Sequence, residues 1–246
     1  MLVRALLTLI ATAYAAPAVA GPPALVVALY ARPADRPALR REAMGAQAAA
    51  LRDWRARGLI SGYRLLFARA PDRGGWDLME TLRFADDGAM ARWRKAAGDP
   101  LDPRLAALAL SVETSAVEYI RSEGAPSTDP AVLVIPYLAL IPPADYAAYL
   151  DGYTIPQFRG WMKAGALDGF DIATSRYPAG RPWNALITLR YRDDIALGGR
   201  EDLVRTTRAA LAADPRWKAF ADAKKNVRTE NLLVVADQIA AEGEGR

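Results

Sequence analysis

Apolar positions along the chain change period in the order β-α-β-β-α-β, and then do so again. Residues 24–31 (ALVVALYA) are a short, almost unbroken apolar run with adjacent valines, which predicts a strand. After Pro33 and Asp35, Leu39, Ala43, Ala46, Ala50 and Trp54 recur at three-to-four spacing. That is one apolar helical face, which Gly58 ends as a C-cap. Strands follow over about 60–69 and 76–84, separated by a Pro-Asp-Arg-Gly-Gly turn at 71–75. Asp86 or Asp87 caps a second helix through Met90 and Trp93, and residues 112–120 predict a fourth strand.

The Gly/Pro/Ser-rich stretch 124–130 reads as a linker, after which the order repeats. Residues 131–140 predict a strand even with Pro136 in it, and Pro142-Pro143 opens a helix. A second hairpin follows, then a helix over 201–213, the helix-start signal Asp214-Pro215 and a last strand over 226–236. From Ala240 the tail is small and charged, which predicts fraying.

The repetition extends to residue identity. Laid over one another at a shift of 107, residues 54–87 and 161–194 match at eleven of thirty-four positions. The matches include Trp54/Trp161, Gly58/Gly165, Gly62/Gly169, Trp76/Trp183 and Arg83/Arg190. Tryptophan and glycine rarely recur in register by accident, so the chain is a duplication. The expected fold is α+β: two tandem ferredoxin-like βαββαβ units whose antiparallel sheets pack face to face as an α/β barrel. The expected boundaries are 21–124 and 131–240. At the shift of 107, Tyr137 falls opposite Tyr30.

The stretch Ala213-Asp214-Pro215-Arg216-Trp217-Lys218-Ala219-Phe220 resembles the ADP-x-W-x-x-F stretch of NIPSNAP-like proteins. With the two halves, it makes the chain resemble the dimeric α/β-barrel superfamily in a tandem, single-chain form. The resemblance implies the barrel fold and a spread of functions: cofactor-independent monooxygenases, polyketide cyclases, lactone isomerases, haem-degrading enzymes and proteins with no known reaction. Several of those branches use a histidine in the cleft, and this chain contains none.

Composition narrows the chemistry. Without histidine or cysteine there is no Ser-His-Asp triad, Cys-His pair, ordinary zinc site or disulfide framework. No metal or other cofactor is expected, and tight haem binding is not, since the commonest axial ligands are missing. Residues 1–20 have a basic start, an apolar run and an Ala-Val-Ala end, which predicts a cleaved secretory signal and a periplasmic or secreted protein. That run is too short for a stable membrane span. Without Arg4 the net charge is 31 − 28 = +3, and the arginines of 36–57 read as a solvated helix face, so no nucleic-acid partner is expected. Because one chain holds both halves, a monomer is expected.

The candidate site residues are Tyr30, Trp76, Glu80, Arg83, Tyr137, Tyr146, Tyr149, Trp183 and Arg190. Strand alternation puts Trp76, Leu78, Glu80, Leu82 and Phe84 on one face and Arg83 on the other, with Arg190 pointing as Arg83 does. The two arginines either hold an anionic or carbonyl ligand or bridge the halves. Glu80, whose twin is Ile187, is either an acid–base group reluctant to ionise or a partner for an arginine. Tyr146, Tyr149 and Tyr153 share a helix face near Gly152, Pro156 and Gly160, as a kinked lid or as a core stripe. The Asp pairs 86/87 and 193/194 read as helix caps. Two functions follow from these features: binding of, or cofactor-free chemistry on, a small, partly apolar molecule in the cleft, or a noncatalytic interaction or stress-related protein with a filled barrel.

Overall fold

A computed structural model describes residues 21–243 apart from 71, 126 and 129, so the expected signal at 1–20 lies outside the described residues. The first half contains β1 (Pro23–Ala31), helix α1 (36–56), β2 (Gly62–Ala68), β3 (Leu78–Arg83), α2 (Asp87–Ala97), the short α3 (Pro103–Ala106) and β4 (Ala109–Gly124). The second contains β5 (Ala131–Ala139), α4 (143–163), β6 (Leu167–Ser175), β7 (Ala185–Tyr191), α5 (Asp194–Gly198), α6 (Arg200–Leu211), α7 (Pro215–Val227), the short β8 (Arg228–Glu230) and β9 (Val234–Glu242).

Each half has the ferredoxin-like strand order, β4-β1-β3-β2 and β9-β5-β7-β6. The halves do more than face one another. β4 pairs antiparallel with β6, and β9 with β2, so each half donates its last strand to the edge of the other. With β5 also on β7, eight antiparallel strands close into a barrel without a free edge, and β8 adds to the end of β5.

Alternation sorts the strand residues into two environments. Val26, Leu66, Met79, Val117, Val134, Leu186 and Val234 fill the barrel interior. Leu65, Leu82 and Phe84 pack outward under α1 and α2, while Phe170, Ile172 and Ile187 pack under the helices of the second half. Each such large apolar side chain stabilises the fold by about 1.5–3 kcal/mol relative to exposure.

The repeated residues of the two hairpins have physical reasons. Gly58 and Gly165 end helices at φ +67° and +70°, in the left-handed region, as the C-cap reading expected. A Cβ on Gly169 would collide with the Arg190 guanidinium, and one on Gly62 would meet the Glu242 carbonyl oxygen at 2.8 Å. Asp86 and Asp193 cap helices, accepting from Ala89 N at 2.6 Å and Ala196 N at 2.7 Å. The second aspartate of each pair does something else. Asp194 pairs with Arg69 at 2.5 Å, and Asp87 pairs with Arg176, the twin of Arg69. Reciprocal contacts of this kind are those of a two-fold interface, here within one chain.

Four expectations are corrected. The shift of 107 does not hold for the first strand: Leu29 pairs with Leu78, and Tyr137 with Ala185, so Tyr137 is the counterpart of Leu29 rather than Tyr30. A slip of one residue reverses the face, which places Tyr30 inside and Tyr137 outside. The last strand is 234–242 rather than 226–236, because α7 runs on to Val227, and it extends past the residue at which the tail was expected to fray. Alternation does not reach back to Trp76, since the ladder begins at Leu78 and Trp76 packs inward beside Met79. The kink expected in α4 at Gly152, Pro156 and Gly160 is not peculiar to it. Its distortion is a single π turn, Leu150–Thr154, and α1 has the same turn 107 residues earlier at Ala43–Gln47.

Candidate functional site

The barrel interior is divided along its axis. At the end where β2 begins, Arg64, Arg83, Asp171 and Arg190 meet. Arg64 and Asp171 are twins at the shift of 107, and they form an ion pair at 2.9 Å. Arg83 donates to the other carboxylate oxygen at 2.9 Å and Arg190 to the same oxygen as Arg64 at 2.5 Å, with Ser122 also donating. The Arg83 guanidinium lies 4.1 Å from the centre of the Tyr119 ring. Burial alone would raise the Asp171 pKa, but the three guanidiniums and the Ser122 hydroxyl outweigh it and hold the carboxyl well below the usual range. This end of the barrel is filled; Arg64 and Arg83 bridge the halves, whereas Arg190 holds Asp171 from within the second half.

The other end is open. A cavity of about 400 Å³ lies inside the barrel mouth. Twin residues contribute to its lining, Trp76 with Trp183 and Met79 with Leu186. The remaining walls differ. From the first half come Tyr30, Ser111, Glu113 and Ser115, and from the second Pro136, Leu232 and Val234. Register shows that this is a divergence of equivalent positions: Val26 pairs with Ser115, and its counterpart Val134 pairs with Val234. The cavity is therefore a slot lined by both indoles, with its carboxylate and serines from the first half and mainly apolar groups, beside Asn231, from the second.

Burial and the neighbouring Glu113 carboxylate push the Tyr30 hydroxyl up to about 12, so it is a proton donor at neutral pH facing a carboxylate. Arg181 steadies the polar wall from outside, donating to Ser115 Oγ at 2.8 Å and to the Thr114 carbonyl at 2.9 Å. Among the described residues, no cluster of His, Cys, Asp and Glu is arranged to hold a metal. No described helix is long and apolar enough to cross a membrane.

Of the candidates read from sequence, Tyr30, Trp76 and Trp183 come together here. Arg83 and Arg190 share the interior but sit in the filled end. Glu80, Tyr137, Tyr146 and Tyr149 lie on the opposite side of the wall, under the helices. Glu80 is fully buried and meets no arginine; it accepts from Gln47 Nε2 at 2.5 Å. Tyr146 and Tyr149 are core, their rings stacked 6.2 Å apart. Sequence reasoning missed Glu113 and its serines, because the inner face of 111–115 is polar (Ser111, Glu113, Ser115) and does not show the apolar alternation that marks an inward-facing strand. It also missed Asp171, although an aspartate between outward Phe170 and Ile172 is a legible sign of an inward charge.

Comparison with protein-family models gives no match, nor does comparison with curated proteins. Solved structures do match. An anthrone oxidase-like protein superposes with a TM-score of 0.61 at 9% identity, over 89% of this chain and 92% of its own. A candidate monooxygenase from Lactobacillus acidophilus NCFM gives 0.59 at 14%, over 92% and 97%. A mutant form of the chlorite dismutase of Candidatus Nitrospira defluvii gives 0.54 at 12%, over 89% and 92%. At such identities the likeness is one of fold, and the fold they share with this chain is the dimeric α/β barrel, closed here by eight strands of a single polypeptide.

Proposed function

We propose that the slot at the barrel mouth binds a flat, partly apolar molecule with one polar edge, and that the protein oxygenates it without a cofactor. The carrying observation is the pairing of an indole-lined slot with a single carboxylate, Glu113, on its polar wall. The structural similarity to an anthrone oxidase-like protein and a candidate monooxygenase supports the same reading.

The chemistry needs a base and dioxygen. Glu113 takes a proton from an activated CH₂ of the bound substrate, leaving a delocalised carbanion. The carbanion gives electrons to dioxygen, and a proton completes a hydroperoxide on that carbon. Loss of the second C–H proton breaks the O–O bond, leaving a carbonyl and releasing water. Carbon is oxidised by four electrons and dioxygen reduced by four. Tyr30 and Ser115 orient the polar edge, and the indoles pack against the apolar part of the substrate.

Anthrone in aerated buffer is the direct test. Binding is expected to quench tryptophan fluorescence, with oxygen uptake and ketone formation at equal rates. Glu113→Gln should keep binding and lower turnover by about 10²–10⁴-fold, the usual contribution of a positioned base. Turnover unchanged in Glu113→Gln would remove the carboxylate from the mechanism, and no binding of anthrone or related phenolic tricycles would remove the slot.

A further inference from the structure

On the helix side of the sheets, outside the barrel, the two halves differ at equivalent places by an arginine and a cavity. In the first half Arg36 opens α1 and lies against the sheet. Its guanidinium donates to the Asp77 carboxylate and to the Ala68 carbonyl, and lies 4.8 Å from the Phe67 ring centre. Asp77 also accepts from Ala31 N at 2.6 Å. Arg40, one turn on, lies 5.2 Å from the same ring and donates to Asp237 at 3.4 Å. Asp237 stands opposite Phe67 in the pairing of β2 with β9, and its other oxygen accepts from Arg69 at 2.7 Å. Here every carboxylate has its guanidinium, and the space is filled.

The counterparts of these residues in the second half surround a cavity of about 460 Å³. Pro143 opens α4 where Arg36 opens α1, 107 residues earlier, and Ala147 stands for Arg40. Thr174 replaces Phe67, and Asn184 replaces Asp77. The asparagine spends its amide on Ala139, accepting from N at 2.7 Å and donating to O at 3.0 Å. Glu118 stands opposite Thr174 as Asp237 stands opposite Phe67, so this carboxylate is kept. Arg176, the twin of Arg69, also lines the cavity, but it gives both terminal nitrogens to Asp87. The guanidiniums of positions 36 and 40 are thus gone and one carboxylate has become an amide. Glu118 remains on the cavity wall, partly exposed, and among the described residues no cation makes an ion pair with it.

We propose that this cavity binds a small alkylguanidine, its guanidinium set against Glu118 and its chain lying where the Arg36 methylenes lie in the first half. The first half shows what the shared frame accommodates, and the second half keeps the frame without the side chain. A guanidinium donates to a carboxylate as a planar fork, which an ammonium cannot do. The Thr174 hydroxyl and the second lone pair of the Asn184 oxygen are further acceptors on the wall, and Ala139, Ile141 and Pro143 are apolar surface for the chain. The site lies on the opposite side of the sheet from the slot, and the reading does not depend on the chemistry proposed there.

The probe is n-propylguanidinium chloride, an arginine side chain without its backbone, with n-propylurea as an uncharged analogue of the same shape and ionic strength held constant. Calorimetry is expected to show saturable, one-to-one binding of the cation and binding of the urea weaker by about tenfold or more, the size of one charge-assisted partner. Glu118→Gln should weaken binding of the cation by a similar factor. Pro143→Arg supplies the guanidinium from the chain, as Arg36 does at the equivalent position, and should abolish binding; it decides the matter if Glu118→Gln fails to fold. Glu113→Gln, which alters only the slot, should bind the cation as the parent does. The proposal is overturned by a parent that binds no propylguanidinium, or that binds the urea as tightly. Affinity retained in Glu118→Gln or in Pro143→Arg would also overturn it, and affinity lost in Glu113→Gln would move the cation to the slot.

Discussion

Replacing Asp171 by asparagine should destabilise the protein by about 3–5 kcal/mol, the cost of breaking a buried ion cluster from one side. Asp171 is 2% exposed and accepts from Arg64, Arg83, Arg190 and Ser122. An amide keeps the shape but removes the charge and turns one acceptor into a donor facing guanidiniums. Against a typical total of about 5–15 kcal/mol, that loss is visible in any denaturant titration. The pH dependence follows from the lowered pKa. Asp171 contributes fully above the unfolded carboxylate value of about 3.9, and its contribution is lost as pH falls towards the folded one. The gap between parent and variant should therefore hold from neutrality to about pH 4 and narrow below it. Arg190→Met and Arg83→Met should also lower the melting temperature, Arg190 more, since it is 3% exposed whereas the Arg83 side chain is 13% exposed. A variant of Asp171 as stable as the parent at neutral pH would show that the cluster contributes nothing net.

The cluster also explains what a tandem chain permits. In a dimer of identical units, position 64 would face its own copy across the two-fold axis. Here the two copies differ, arginine at 64 and aspartate at 171, so a repulsive pair becomes an attractive one. The slot at the other end shows the same divergence, with Ser115 on one wall and Val234 on the other. Duplication supplies the symmetric frame, and departures from symmetry supply the charge pairing and the polar edge.

That distinction decides what could be read from the chain. The order of elements and the helix caps were legible, because alternation, three-to-four spacing and Asp-Pro or Gly signals act over a few residues, whereas the exchange of β4 and β9 between the sheets is a long-range pairing and was not. The duplication was legible because Trp76/Trp183 and Gly62/Gly169 keep one register. What failed was long-range register. One residue fewer between the first strand of the second half and its helix changes the shift from 107 to 108, and Tyr137 leaves the cavity for the core. The site was half legible for a related reason. Tryptophans announce themselves, but Glu113 is one of several polar residues on a strand whose inner face is set only by pairing with β1.

Glu80 gives the second large effect, with the opposite sign. It sits wholly buried beneath α1, with one carboxylate oxygen on Gln47 and the other without a partner. Gln47 cannot turn to suit it, because its own oxygen accepts from Asp102 N at 2.6 Å and its nitrogen also donates to the Pro100 carbonyl at 2.8 Å. Burial, only partly offset by the Gln47 amide and reinforced by the charge of Asp99, pushes the Glu80 carboxyl up to about 8. The folded state thus keeps a proton that the unfolded chain releases above the usual value of about 4.3. Stability falls as pH rises from there to about 8, by up to about 1.4 kcal/mol per unit, and is flat above it. Glu80→Gln has the shape of the protonated acid, accepts from Gln47 as before, and has no proton to lose. The variant should match the parent below about pH 4 and exceed it by several kcal/mol, on the order of 5, above pH 8. Urea midpoints measured across that range decide it: parallel profiles for parent and variant would mean that Glu80 ionises in the folded protein as easily as in the unfolded chain.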